Sequence, residues 1–256
     1  MTTDLEDVKR EVATANRVLA NLGLATGLTA ALGHASMRVP SEPNHFFVKG
    51  REYEFDALAI MEPDDMVMCD TEGFLIAARV GLTQCSEVKI HACIYKTHPQ
   101  IQAVVHVHPR HIVLMSILTG VLKPMCQEGA LLVRHPLPLY PHVKTIQTDA
   151  EGMELANLLG DHRAILLLGH GAVTTGKSLA EAVMGMAQLE EQARMNYLAY
   201  CAEGKGYGGL ADHLIDEMVN RPPLYEQSHF KEILRGRATR RDGIWNYHKR
   251  AASRKQ

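Results

Sequence analysis

His106 and His108 are the side chains in this sequence best suited to binding a metal ion. They follow the apolar, β-branched run at residues 101–105, which predicts a buried strand, and Pro109 comes directly after them. Side chains two apart on a strand lie on the same face, so the two imidazoles stand together at the strand's end. Such a pair chelates a divalent metal, and a pair joined only by hydrogen bonds is the alternative.

His170 and Glu87 extend this candidate site. His170 lies between two glycines after the apolar residues 164–168, at the end of a second predicted strand. A third strand-end histidine favours a three-histidine metal site, open to water or substrate, over a histidine that only closes a turn. Glu87 opens a predicted helix, where a carboxylate complements the helix dipole or acts as an acid–base residue. His91, one turn on, orients Glu87 or packs in the core, and packing is favoured.

The hydrophobic pattern predicts the elements that hold these side chains. We expect helices at residues 4–22, 86–96, 112–119, 151–159 and 178–202. We expect strands at 33–39, 45–48, 66–70, 74–77, 101–105, 164–168 and 172–175, with a polar loop at 49–52. No linker or repeat divides the chain, so residues 1–256 are expected to form one α/β domain around one sheet, with a C-terminal tail from about residue 205.

Composition narrows the class of protein. The formal charge of -2 provides no bulk attraction to nucleic acid or to an anionic membrane. No apolar run approaches the roughly 18 residues of a membrane span, and the polar, acidic first residues do not resemble a signal peptide. The 5 cysteines form no C-x-x-C pair, which is typical of reduced thiols. We therefore expect a cytoplasmic protein that binds neither nucleic acid nor membrane.

Several short motifs follow one another along the chain. They are GHAS at residues 33–36, CSEVKIH at 85–91, VVHVH at 104–108, and LGHG at 168–171 with SLAEA at 178–182. In this order they resemble the class II aldolase/adducin family, over roughly residues 5–200. The resemblance implies a three-layer α/β/α sandwich around a central, mainly antiparallel sheet. It also implies a homotetramer or larger assembly, with active sites where subunits meet.

The same resemblance assigns roles to the site residues. In the family's sugar-phosphate aldolases, the positions of His106, His108 and His170 bind a metal, and the glutamate at the position of Glu87 lies at the metal and moves protons. We therefore expect one divalent metal per subunit. Three histidines suit zinc, manganese, iron and cobalt alike, so the sequence does not choose among them.

This chain departs from the sugar-phosphate aldolase pattern at the phosphate-binding positions. His34 replaces the asparagine of G-N-x-S, Lys49 and Arg51 stand near the T/S-G loop, and Cys85 replaces one serine of S-S-E. The aldolases also use a tyrosine some way after the histidine pair, and residues 123–129 contain none. Both departures argue against cleavage of a sugar phosphate.

A second branch of the family fits better. The pattern G-H-x-S-x-R at residues 33–38 and the W-x-Y of the tail resemble the family's aromatic decarboxylases, which act on hydroxylated aromatic or pyridine dicarboxylates. The expected substrate is therefore a hydroxylated aromatic or pyridine dicarboxylate, such as a dihydroxyphthalate-type compound, and the expected process is the catabolism of aromatic compounds. The candidate substrate-binding residues are His34, Ser36, Lys49, Arg51, Ser86, Trp245 and Tyr247. A tail tryptophan more commonly anchors a segment by packing, and Arg134-His135 is a weaker candidate.

The chemistry expected of such a site is decarboxylation after protonation of the ring. A hydroxyl beside a carboxylate chelates one metal, and Glu87 protonates the carbon that bears the carboxylate, provided that burial raises its pKa. His34, Lys49 and Arg51 are candidate partners of a second carboxylate. Three alternatives stay open: a class II aldolase acting on a sugar phosphate or other hydroxy-carbonyl substrate, a non-haem iron oxygenase on this fold, and a non-catalytic adducin-like module.

Overall fold

A nine-stranded sheet forms the centre of the protein. The computed structural model describes residues 5–52, 54–234 and 240–253. The strands are β1 (His34–Val39), β2 (Glu42–Arg51), β3 (Met66–Asp70), β4 (Leu75–Ala77), β5 (Thr83–Gln84), β6 (Ala103–Val107), β7 (Leu139–Tyr140), β8 (Ala164–Leu167) and β9 (Gly171–Gly176). Their order is β4-β3-β2-β1-β6-β9-β8-β7, with β5 on β2. Neighbouring strands run antiparallel, apart from the parallel pair β7 and β8.

Helices cover both faces of this sheet. They are α1 (Leu5–Asn21), α2 (Val88–Thr97), α3 (Arg110–Leu118), α4 (Asp149–Leu159), α5 (Leu179–Glu203), α6 (Asp212–Val219), α7 (Lys231–Leu234) and α8 (Arg240–Ser253). One hydrophobic core lies beneath α1, α3, α5 and α8, and a second lies beneath α2 and α4. The three-layer sandwich with a mainly antiparallel sheet is therefore confirmed. In the described part of the chain, every helix is too short or too polar to span a bilayer.

The alternation of side chains along β6 decides which face carries His106. Val105 and Val107 belong to the core beneath α1 and α5, whereas Val104 belongs to the core beneath α2 and α4. His106 shares the face of Val104 because the side chains of a strand alternate with a period of two. It therefore lies on the side of α2, the helix that Glu87 precedes.

The polar segment at residues 49–52 was expected to be a loop, and the structure corrects this. Strand β2 continues to Arg51, and only 2% of the Lys49 side chain is exposed. The Lys49 ammonium lies 2.6 Å from a carboxylate oxygen of Asp56. A buried charge is tolerated when an opposite charge neutralises it, so this ion pair allows a lysine to occupy an interior strand position.

Two glycines let neighbouring strands approach at the edge of the sheet where the histidines lie. Gly33 has φ +95°, and a Cβ there would lie 2.5 Å from the carbonyl oxygen of His106. A Cβ at Gly171 would lie 2.4 Å from the carbonyl oxygen of Val107. Real Cβ contacts are never this short, so any side chain at either position must push β1 or β9 away from β6.

We expect Gly171→Ala to lower the free energy of unfolding by about 1–3 kcal/mol, the usual cost of overpacking a close contact. It should also weaken metal binding, because β9 must move away from the backbone before His108. Denaturant titration and metal analysis measure the two effects. Gly208→Ala is the matched control, since a Cβ there meets no atom within 4 Å. Equal stability and metal content in the two variants would contradict the argument.

Candidate metal centre

Four side chains converge at this edge of the sheet: Glu87, His106, His108 and His170. One donor atom from each lies within 4.8 Å of the others. The Nε2 of His106 lies 2.9 Å from the Nε2 of His108 and 3.3 Å from Oε2 of Glu87. The Nε2 of His170 lies 3.5 Å from the same carboxylate oxygen. The structure thus brings together the residues that the sequence nominated, while their role as metal ligands stays a prediction.

The sheet topology explains why residues so distant in sequence meet. His106 is in β6 and His108 directly follows it, while His170 lies in the turn that joins β8 to β9. Strand β9 runs antiparallel to β6, so the end of β6 lies beside the start of β9. Glu87 precedes α2, which packs over the same face of the sheet as His106.

The hydrogen bond of His106 indicates what this cluster requires. Its Nδ1 lies 3.0 Å from the carbonyl oxygen of Ala172, and because a carbonyl can only accept, Nδ1 carries the proton. In the neutral ring Nε2 then holds a lone pair, and it faces Glu87 and the Nε2 of His108. Lone pairs that face one another need a cation between them, either a proton or a metal ion. A backbone carbonyl on the far nitrogen is the usual support of a metal-binding histidine.

Glu87 is held as an ionised carboxylate. Its Oε1 accepts a hydrogen bond of 3.0 Å from the backbone N–H of Ile146, and only 7% of its side chain is exposed. Burial raises the pKa of Glu87, but the hydrogen bonds and charge interactions with His106 and His170 lower it by more, so that it lies below its ordinary value. The condition set for Glu87 as an acid, a pKa raised by burial, is therefore not met, because the neighbouring histidines favour the ionised carboxylate.

The other donor groups of the cluster also fit a divalent metal. Burial, followed by the charges of His106 and His170, lowers the pKa of His108 to about 3, so this ring is neutral and able to coordinate at neutral pH. Among the described residues, the buried Nδ1 of His170 has no hydrogen-bond partner. Three imidazoles and one carboxylate form a donor set that zinc, manganese, iron and cobalt all accept.

The candidate substrate-binding residue His34 lies beside the metal centre. It pairs with His106 across β1 and β6, and the two ring centroids are 5.4 Å apart. Ser36 is fully buried and forms hydrogen bonds with His91 and Tyr95. His91 in turn contacts His34, so Ser36 is linked to the site through His91. The sequence favoured simple packing for His91, and nothing in its pattern indicated Tyr95. Their spacing of four on α2 places both toward β1, which is the signal that could have linked them to Ser36.

The two cations proposed for the substrate have different surroundings. Lys49 is neutralised by Asp56 inside the protein, so it does not offer an uncompensated charge to a second carboxylate. Arg51 is part-exposed, and its guanidinium lies 3.3 Å from Oγ of the exposed Ser86. Ser86 directly precedes Glu87 in the sequence, so its contact with Arg51 places both polar side chains near Glu87. A polar group of a substrate could reach both.

Trp245 and Tyr247 lie away from the candidate metal centre. Only 7% of Trp245 is exposed; it packs in the core beneath α1, and Nζ of Lys249 lies 5.7 Å from the centre of its ring. Tyr247 is 67% exposed and contacts the ring of His248. Because α8 covers the face of the sheet opposite to α2, Trp245 anchors the tail helix by packing.

A mainly antiparallel sandwich with three imidazoles and a carboxylate at one sheet edge defines the class of protein. The chain belongs to the family described as Class II Aldolase and Adducin N-terminal domain, whose model matches residues 10–197.

Individual relatives agree with this family. The 3,4-dihydroxyphthalate decarboxylase of Rhodococcus jostii (strain RHA1) is 31% identical over 209 residues, which cover 79% of this chain and 84% of that protein. An aldolase II superfamily protein from Pseudomonas syringae has a TM-score of 0.79 at 20% identity, covering 99% of this chain and 95% of that chain. L-fuculose 1-phosphate aldolase from Glaciozyma antarctica PI12 has a TM-score of 0.74 at 21% identity, and the likeness covers 98% of this chain and 92% of that chain. The two structural likenesses establish the fold.

We expect His106→Ala to lose its metal, because it removes the imidazole that contacts both Glu87 and His108. Metal content after dialysis, measured by elemental analysis, should fall to the background of a stripped sample. His229→Ala removes an exposed histidine and should keep the wild-type content. A His106→Ala protein with full metal occupancy and turnover would show that this residue is not a ligand.

Proposed function

We propose that this protein is a metal-dependent decarboxylase of a hydroxylated aromatic or pyridine dicarboxylate, such as a dihydroxyphthalate-type compound. It is a carbon–carbon lyase, and its similarity to a 3,4-dihydroxyphthalate decarboxylase spans most of the chain. The observation that carries the proposal is the convergence of Glu87 with three imidazoles at one point, which leaves a carboxylate ready to move protons beside a metal.

His106, His108 and His170 would hold the metal through their Nε2 atoms. A divalent ion bound there supplies a Lewis acid for the ring hydroxyl and the neighbouring carboxylate of the substrate. The hydrogen bond from His106 to the carbonyl of Ala172 keeps its ring oriented, and the N–H of Ile146 keeps the carboxylate of Glu87 in place. This support lets the site keep its geometry through the reaction.

In this proposal Glu87 moves the proton. As a carboxylate it accepts the proton of the ring hydroxyl and then donates it to the ring carbon that bears the departing carboxylate. A C–H bond forms, the bond from the ring to the carboxylate breaks, and its electron pair returns through the ring to the hydroxyl oxygen as CO2 leaves. Water then protonates that oxygen and becomes hydroxide, so Glu87 ends as a carboxylate and each CO2 released uses one proton from water. Protonating the carbon first avoids an unstabilised aryl anion.

We expect Glu87→Gln to lower kcat by about a hundredfold or more, the usual scale for loss of a general acid–base residue. The amide keeps the shape of the side chain but carries no exchangeable carboxyl proton, and the three histidines should still retain the metal. Initial rates of CO2 release and metal analysis measure both. Glu181→Gln, which alters a carboxylate in the first turn of α5, is the control. A wild-type rate in Glu87→Gln would assign the proton transfer to another group.

The substrate class is tested by restoring zinc, manganese, iron or cobalt to stripped enzyme and following CO2 release. 3,4-Dihydroxyphthalate is the first compound, followed by hydroxylated pyridine dicarboxylates. L-fuculose 1-phosphate tests the aldolase alternative, and dioxygen consumption tests the oxygenase alternative. Rapid cleavage of the sugar phosphate with no CO2 from any aromatic acid would overturn the proposed reaction while leaving the fold unaffected.

We also propose that the protein assembles as a homotetramer or larger. Large apolar side chains are widely exposed on the single subunit, among them Leu28 at 100%, Val80 at 97% and Phe55 at 69%. Burial between subunits removes such surface from water. Sedimentation at micromolar concentration should give four or more times the subunit mass of 28.4 kDa. A fully active monomer would contradict this assembly.

A further inference from the structure

A chain of buried hydrogen bonds leads away from the metal centre through His34. Its Nδ1 lies 2.6 Å from Nε2 of His91, and Nδ1 of His91 lies 2.6 Å from Oγ of Ser36. Oγ of Ser36 lies 2.8 Å from the hydroxyl of Tyr95. All four side chains are buried, with exposures of 4% or less. Among the described residues, His91, Ser36 and Tyr95 make no hydrogen bond to the four side chains of the metal centre. Their polar contacts therefore serve His34 or the core.

The 2.6 Å contact between His34 and His91 holds one proton, so one ring donates and the other accepts. Burial, followed by the charge of His106, lowers the pKa of His91 to about 3. A neutral imidazole donates from one nitrogen and accepts at the other. Whether His34 offers a donor or an acceptor to the site therefore depends on the direction of the whole chain.

The distances favour one direction. If the hydroxyl of Tyr95 donates to Ser36, Ser36 donates to Nδ1 of His91, and every proton lies in a contact of 2.8 Å or less. In the opposite direction His91 donates to Ser36. Ser36 must then donate either to the hydroxyl of Tyr95, whose own proton has no acceptor among the described residues, or to the carbonyl of Val104 at 3.5 Å. That distance is at the outer limit of a hydrogen bond, so the first direction is the more stable.

The favoured direction fixes the tautomer of His34. His91 then donates from Nε2 to Nδ1 of His34, which leaves the His34 proton on its own Nε2. A charged His91 would donate from both nitrogens and would leave His34 in the same tautomer. The Nε2–H of His34 lies on the side of the ring opposite His91, and the same ring contacts His106. A neutral hydrogen-bond donor is thus presented beside the metal centre.

We propose that Tyr95, Ser36 and His91 are positioning residues that hold His34 as an Nε2–H donor for the substrate carboxylate that the reaction leaves in place. The inference rests on the proposed function, in which the hydroxyl and the departing carboxylate are at the metal. The retained carboxylate needs donors elsewhere, and Lys49 is already paired with Asp56. An acceptor nitrogen at His34 would instead repel that carboxylate, which explains why its tautomer matters.

The tautomer is measured directly by long-range ¹H–¹⁵N NMR of zinc-loaded protein labelled with ¹⁵N-histidine, which needs no activity. We expect His34 to be protonated on Nε2 in the wild type. In Ser36→Ala, His91 loses its donor, and the signals of His34 should shift toward a mixture of tautomers. A wild-type His34 protonated on Nδ1 would overturn the proposal, as would an unchanged tautomer in Ser36→Ala.

Kinetics provide a second readout. We expect Ser36→Ala to raise KM for the substrate of the decarboxylation about tenfold and to keep kcat within about twofold of the wild-type value. A contact that is made equally in the ground and transition states affects only binding. The dissociation constant of the product, which keeps this carboxylate, should rise equally. The double variant Ser36→Ala/Tyr95→Phe leaves no unpaired phenol hydroxyl, and it should show the same changes in KM and kcat as Ser36→Ala. Thr174→Val, which removes a buried hydroxyl bonded to the carbonyl of Ala182, should leave KM unchanged.

The outcomes separate this proposal from the proposed function. If no aromatic acid releases CO2, the reaction is wrong, yet the NMR result still decides whether the chain sets the tautomer of His34. If CO2 is released but Ser36→Ala lowers kcat and metal content with KM unchanged, the chain has only a structural role. Binding of a second zinc equivalent that depends on His91 would also overturn the proposal. It would show that His34, Cys85 and His91, whose donor atoms lie within 4.8 Å of one another, hold a metal.

Discussion

The register of β6 between β1 and β9 is the constraint on which the rest of the site depends. Pairing with β1 places His34 opposite His106, and pairing with β9 places Ala172 opposite Val107, within reach of the His106 ring. A slip of one residue would turn His106 toward α1 and α5 and remove it from Glu87. The register is fixed because both faces of β6 are buried, so a slipped strand would place an imidazole in an apolar core.

Buried polar groups in this protein are stabilised by one another more than by water. His34, His91, Ser36 and Tyr95 exchange hydrogen bonds in the interior, and Lys49 pairs with Asp56. Unpaired buried groups of these kinds would each cost on the order of 1–3 kcal/mol. Since these groups are paired, the core can hold uncharged imidazoles close to the candidate metal centre.

Local patterns in the sequence predicted the parts of the site that depend on local structure. The strand before His106 and the turn at His170 are read from runs of apolar residues and glycines, and both were found. Lys49 was misassigned because its partner Asp56 lies outside its strand, and polar residues in a row otherwise indicate a loop. The placement of Trp245 depends on where α8 packs, which no local pattern specifies.

The order of β8 and β9 in the chain has a consequence for biosynthesis. Both the ring of His170 and the carbonyl of Ala172 belong to a segment more than 60 residues after His106, beyond α3, β7 and α4. A nascent chain that ends at β8 has the histidine pair but neither the third imidazole nor the carbonyl that orients His106. Completion of the candidate metal centre is therefore coupled to the closing of the central sheet, a late and long-range step in folding.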